Sequence, residues 1–197
     1  ANLEKDATGL GRVARVGLRP EAILSGSISS QPDYSFAFDL PQRNAAIGPE
    51  WTGTDGAAHR LADYSDLLSN AKVEVETSSA SRVCFKITYS GDMDGVSQIL
   101  ERYELSTEGL RYAVRVEPRP EAFGLVVPVI ETDGDEASEV SCVEEKIEVR
   151  YRDDRFSLSV EAGVWELLEE RNSNRNATYR TAFARCPDGE EMVLTIN

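Results

Sequence analysis

The chain predicts an all-β fold, a two-sheet antiparallel β-sandwich, and three observations predict it. Short runs in which apolar and polar residues alternate recur along nearly all of its 197 residues, and no sustained helical period appears. The breaks between runs are made of tight-turn residues, as in Gly91-Asp92-Met93-Asp94-Gly95 and Thr132-Asp133-Gly134-Asp135-Glu136. The runs amount to about a dozen strands, more than one open sheet usually holds, which favours two packed sheets of the supersandwich kind.

Taken in order, residues 1–8 are polar. The run GRVARVGL from Gly11 reads as a strand that stops at Arg19-Pro20, since proline cannot donate to a ladder. AILSGSIS and YSFAFDL follow, with Tyr34, Phe36 and Phe38 on one face by the strand period of two. Residues 40–69 then interrupt the strand pattern, and 57–68 within them reads as one short helix. The pattern resumes with AKVEVETS, where Val73 and Val75 oppose Glu74 and Glu76. In RVCFKITYS, Val83, Phe85, Ile87 and Tyr89 alternate with Arg82, Cys84, Lys86 and Thr88. VSQILERYELS and GLRYAVRVE form the clearest pair, the second with Leu110, Tyr112, Val114 and Val116 on a dry face.

EAFGLVVPVIE is apolar on both faces and reads as a central strand, although Pro128 calls for an edge or a bulge. ASEVSCV follows, and KIEVRYR pairs with RFSLSV, placing Ile147, Val149 and Tyr151 inward. GVWELLEE fits either a strand or a helical turn, and ATYRTAFARC and EMVLTIN close the chain as strands.

Composition excludes several classes of function. There are 35 acidic and 21 basic side chains, a formal charge of −14, and no basic block. Nucleic acid and anionic membrane surfaces need a concentrated positive footprint, so neither is an expected partner. No apolar run approaches the roughly 18 residues of a membrane-spanning helix, and 41% hydrophobic with 28% charged residues describes a soluble globular domain. A single domain over residues 1–197 is expected. Cys84, Cys142 and Cys186 have no metal-ligand or disulfide spacing, and Cys84 reads as a small buried hydrophobe. The chain begins at Ala1, which points to a processed product or a segment of a longer protein.

Chemistry concentrates in the 40–69 interruption, because long loops are disproportionately functional. Trp51 sits beside Glu50 and near Arg60 and Tyr64, a composition suited to stacking on a sugar ring and bonding its hydroxyls. The competing expectation is that Trp51 plugs one end of the sandwich. His59, the only histidine, is a candidate general base oriented by Asp55 or Asp63, with Glu50 as a further carboxylate. Asp92 with Asp94, and Asp133 with Asp135, resemble fragments of a calcium loop, yet turn chemistry alone explains both. No other metal or cofactor is expected. No GxSxG, HExxH, P-loop or strand-to-helix GxGxxG motif is present.

Glu101-Arg102-Tyr103-Glu104-Leu105 followed by Gly109-Leu110 resembles a hairpin in the β-sandwich portions of heparinase II/III-like polysaccharide-processing enzymes. In that family, the resemblance implies, a helical toroid carries most catalytic groups and the sandwich supports it. This chain shows no toroid-like helical period, so it is expected to be an accessory sandwich of a carbohydrate-active protein, without its own catalytic centre. Its expected partners are carbohydrate or a neighbouring domain of the same protein. Two alternatives stand beside this: a stand-alone carbohydrate-binding module built on Trp51, Tyr64 and Trp165, and a small enzyme using His59 with nearby carboxylates.

Overall fold

The structure, a computed structural model, describes residues 9–13, 24–25, 46–161, 163–173, 177–185 and 191–197. Fifteen strands lie in these segments. The first eight are β1 (Arg12–Val13), β2 (Leu24–Ser25), β3 (Gly48–Thr52), β4 (Ala58–Arg60), β5 (Lys72–Ser78), β6 (Arg82–Ser90), β7 (Gln98–Ser106) and β8 (Gly109–Glu117). The remainder are β9 (Phe123–Thr132), β10 (Glu139–Val143), β11 (Lys146–Tyr151), β12 (Asp154–Val160), β13 (Val164–Ser173), β14 (Thr178–Arg185) and β15 (Met192–Ile196). The strands expected around Tyr34, Phe36 and Phe38, most of residues 11–19, Glu21 and Cys186 lie outside the described residues.

An eight-stranded sheet runs β10-β11-β12-β15-β8-β7-β6-β5, and a five-stranded sheet runs β13-β14-β9-β3-β4. Every pairing is antiparallel. This is the all-β, two-sheet sandwich that the alternation predicts. The inward residues of β8, β11, β12 and β15 pack with Leu125, Val127, Val129, Tyr179 and Trp165 in one continuous core.

The structure decides three local expectations. The short helix of the interruption takes the 3-10 form in two pieces, Leu61–Asp63 and Ser65–Asn70, because β4 occupies the residues before them. GVWELLEE is part of strand β13. Pro128 sits in β9, the middle strand of its sheet. The Thr52 N–H donates to the Ala122 carbonyl, so even-numbered residues of β9 aim their backbone groups at β3. β3 pairs only as far as Val126, and Pro128 therefore withholds its donor just where no ladder partner remains among the described residues.

The eight-stranded sheet is wider than its partner, and burial along its inner face falls away towards β5. Glu101 and Tyr103 on β7 are buried, Phe85 and Ile87 on β6 half-buried, and Val73 and Val75 on β5 are 62% and 66% exposed. On the opposite, wet face, Lys86 and Arg102 both pair with Glu76, at 2.5 and 2.9 Å. Beneath this ladder Cys84 is buried as expected, its thiol donating to Glu76 at 3.0 Å. The Cys84 thiol, Lys86 and Arg102 together hold the Glu76 carboxyl down to about 2.

Among the described residues one fully buried carboxylate faces the core. Glu101 accepts from Tyr112 Oη at 2.6 Å and Tyr103 Oη at 2.7 Å. Full burial pushes its carboxyl up to about 7, against the tyrosine hydroxyls, which favour the charged form.

Candidate functional site

The site gathers where the β3–β4 hairpin meets the turn after β6. Thr54-Asp55-Gly56 forms the hairpin tip: the Gly53 N–H donates to the Ala57 carbonyl at 2.9 Å and the Ala57 N–H to Asp55 Oδ1 at 2.7 Å. Gly56 has φ +78, a conformation that costs glycine little. Trp51 and His59 are directly paired across the two strands, so both rings lie on one face, 6.2 Å apart between centroids and 21° from parallel. Tyr64 stacks on the same indole at 5.7 Å.

The facing turn is fixed from below. Met93 is fully buried, its N–H donates to the Val96 carbonyl at 2.9 Å, and its own carbonyl accepts Trp51 Nε1 at 3.2 Å. Asp94 at φ +48 and Gly95 at φ +91 turn the chain so that the Asp94 carboxylate points at the hairpin tip. There Thr54 Oγ1 donates to Asp94 Oδ1 at 2.5 Å, and Asp94 Oδ2 lies 2.8 Å from His59 Nε2. Asp55 Oδ1 stands 3.1 Å from the same ring nitrogen, and Tyr64 Oη is 2.9 Å from Nδ1. Gly53 permits this approach, since a Cβ there would sit 2.2 Å from Asp94 Oδ2 and 2.6 Å from His59 Cδ2.

Electrostatically the site is a half-exposed anion cluster around one imidazole. The Ala57 N–H and then His59 hold the Asp55 carboxyl below its usual range. Burial, followed by the charges of Asp94 and Asp63, pushes the Tyr64 phenol up. Asp55, His59 and Asp94 are the group whose ligand atoms converge closely enough to hold a metal ion among the described residues, all within 4.8 Å of one another.

Of the residues singled out from sequence, the structure brings His59, Tyr64 and Asp94 together with Trp51 behind them. Trp51 itself is 1% exposed and Trp165 4%, its Nε1 donating to the Glu145 carbonyl at 3.1 Å, so neither indole is presented to solvent. Asp63 does not reach His59: its carboxylate accepts the Arg60 N–H at 3.0 Å and caps the 3-10 turn. Glu50 and Arg60 turn the other way, Arg60 Nε donating to Glu50 Oε2 at 2.6 Å, and Arg60 is 2% exposed. The second partner of Arg60 is Glu170 on β13, joined through both terminal nitrogens at 2.6 and 3.1 Å. Asp92 is exposed beside the cluster. Asp133 accepts the Asp135 and Glu136 N–H groups and Tyr151 Oη and pairs with Arg152, so its oxygens are engaged by the protein itself. Asp135 is exposed.

Sequence reasoning gave no site role to Glu170, and Glu101 entered only as the first residue of the hairpin motif. For Glu101 a signal existed: the period of two puts it on the same face as Ile99 and Tyr103, a carboxylate in an apolar row. For Glu170 none did, because its partner is 110 residues away.

No family model matches the chain, and no curated protein matches it. Among solved structures it is similar to the heparan sulfate lyase HepC from Pedobacter heparinus, with a TM-score of 0.45 at 10% sequence identity. The match covers 64% of this chain and 21% of that one, so the chain spans about a fifth of the length of the protein it resembles.

Proposed function

We propose that the chain is an accessory β-sandwich domain of a polysaccharide-processing protein, seated against a neighbouring domain of that protein and without a catalytic centre of its own. The observation that carries this reading is the uncovered inner face of β5 and β6. Val73, Val75, Val83 and Leu105 are exposed there beside the half-buried Phe85 and Ile87, at the edge of a sheet whose other half is covered. Such contiguous apolar surface marks a contact site. A domain of the same chain suits it because the strip carries no carboxylate, whereas the protein bears a net charge of −14. The carbohydrate assignment rests on the Glu101–Leu105 and Gly109-Leu110 hairpin, which the structure forms as β7 and β8 with Ser106 opposite Gly109.

Hydrogen exchange tests it, run on the isolated chain and on the longer polypeptide that contains it. The β5 and β6 amides are expected to gain at least tenfold protection in the longer protein. Equal exchange in both, or cleavage of a polysaccharide by the isolated chain that His59→Ala abolishes, overturns the reading.

A further inference from the structure

We propose that Asp55, His59 and Asp94 form a binding site for one divalent transition-metal ion of the zinc class, which pins the β3–β4 tip to the 91–95 turn. Three features of the geometry carry this. The first is spacing. A tetrahedral ion with bonds of about 2.0–2.2 Å sets its ligand atoms about 3.3 Å apart. Around His59 Nε2 the carboxylate oxygens stand at 3.1 and 2.8 Å, and all three ligand atoms lie within 4.8 Å of one another.

The second is proton count. A single Nε2 hydrogen can satisfy one carboxylate oxygen. The Asp55 oxygen takes the hydrogen-bonding position, while Asp94 Oδ2, shielded from solvent, has no hydrogen-bond partner of acceptable geometry. A buried oxygen of this kind is costly. A divalent cation engages both oxygens and the imidazole lone pair at once.

The third is support around the donors. Tyr64 Oη lies 2.9 Å from Nδ1 and can accept its hydrogen in the tautomer whose Nε2 lone pair the ion would take, and Thr54 Oγ1 holds the other oxygen of Asp94. The Ala57 N–H fixes Asp55, and the missing side chain at Gly53 leaves room for the approach. One imidazole with two carboxylates is a borderline-hard set that suits zinc or manganese, with water completing the coordination. The role is structural: the ion would join two segments about 40 residues apart, which Trp51 already links through Met93.

Equilibrium dialysis and thermal unfolding with Zn2+ alone test this on the whole chain. One ion per chain and a raised Tm are expected, with at least a tenfold weaker affinity in His59→Gln. Asp55 is an exposed side chain, so Asp55→Asn keeps the fold and is expected to weaken binding by a similar factor. Zn2+ binding that persists unchanged in both variants, as binding by cysteine thiols would, overturns the proposal; so does an absence of binding by the wild-type chain.

Discussion

Arg60 and Glu170 stand on β4 and β13, the two opposite edges of the same five-stranded sheet, yet they meet in a bidentate ion pair. β13 loses register between Leu167 and Arg171, so the segment bearing Glu170 leaves the ladder and is free to bend towards β4. Thr181 Oγ1 and Asn172 Nδ2 also donate to Glu170 Oε1, at 2.9 and 3.3 Å. The pair thus closes the sheet on itself with side chains where no backbone ladder does.

Arg60→Met is therefore expected to cost about 1.5–3 kcal/mol, because it removes a buried guanidinium that joins the half-buried Glu50 and Glu170 carboxylates. Urea unfolding at pH 7 measures this. A loss below about 1 kcal/mol would show that the pair behaves as a surface ion pair.

Trp51→Ala is expected to destabilise by about 3–5 kcal/mol, the usual cost of truncating a buried large aromatic. Trp51→Phe should lose less, keeping the stack with Tyr64 and giving up the bond to the Met93 carbonyl. Thermal unfolding separates the two variants. If Trp51→Ala kept wild-type stability and lost binding on a glycan array, the indole would be a ligand contact after all.

At the hairpin tip two glycines are needed for different reasons, and their alanine variants separate them. Gly56→Ala meets open space and pays only for its left-handed backbone, about 1–2 kcal/mol. Gly53→Ala drives a methyl group into Asp94 and His59, and overpacking of about 1–3 kcal/mol is expected together with a changed His59 environment. NMR titration of the single imidazole reads the second effect, which Gly56→Ala should leave untouched.

Strands such as β6, β7, β8 and β11 were legible because each follows a local period of two, and neighbours such as β7 and β8 pair across a short turn that the sequence also displays, whereas β3 and β4 fell inside the stretch read as an interruption. The hairpin tip at Asp55-Gly56 was missed, because a helical reading of 57–68 placed His59 over Asp63. Strand geometry instead sets His59 beside Trp51 and brings Asp94 to it from 35 residues away, a meeting that depends on how two hairpins pack. Long-range contacts of this sort, like that of Arg60 with Glu170, leave no periodic trace.

Glu101 and Glu170 pull the pH dependence of stability in opposite directions. Both carboxyls would ionise near 4.5 in the unfolded chain. Glu101 is pushed up to about 7 by burial, so between these values the folded state keeps a proton that the unfolded state releases. Stability then falls as pH rises from about 4.5 to about 7 and levels above. For Glu170, burial is outweighed by Arg60, Thr181 and Asn172, which together hold it down to about 2. Its contribution is complete above about 4.5 and is lost as pH falls towards 2. The Glu101 shift corresponds to a stability change on the order of 3 kcal/mol, that of the part-exposed Glu170 to less, and the two windows meet near pH 4.5, where the two contributions together are largest. Glu101→Gln is expected to flatten the profile above pH 5 while leaving the acid limb in place, and Glu170→Gln to shallow the acid limb alone. Urea midpoints from pH 3 to 8 measure all three proteins; a wild-type profile already flat between pH 5 and 8 would mean that Glu101 ionises in the core at an ordinary pH.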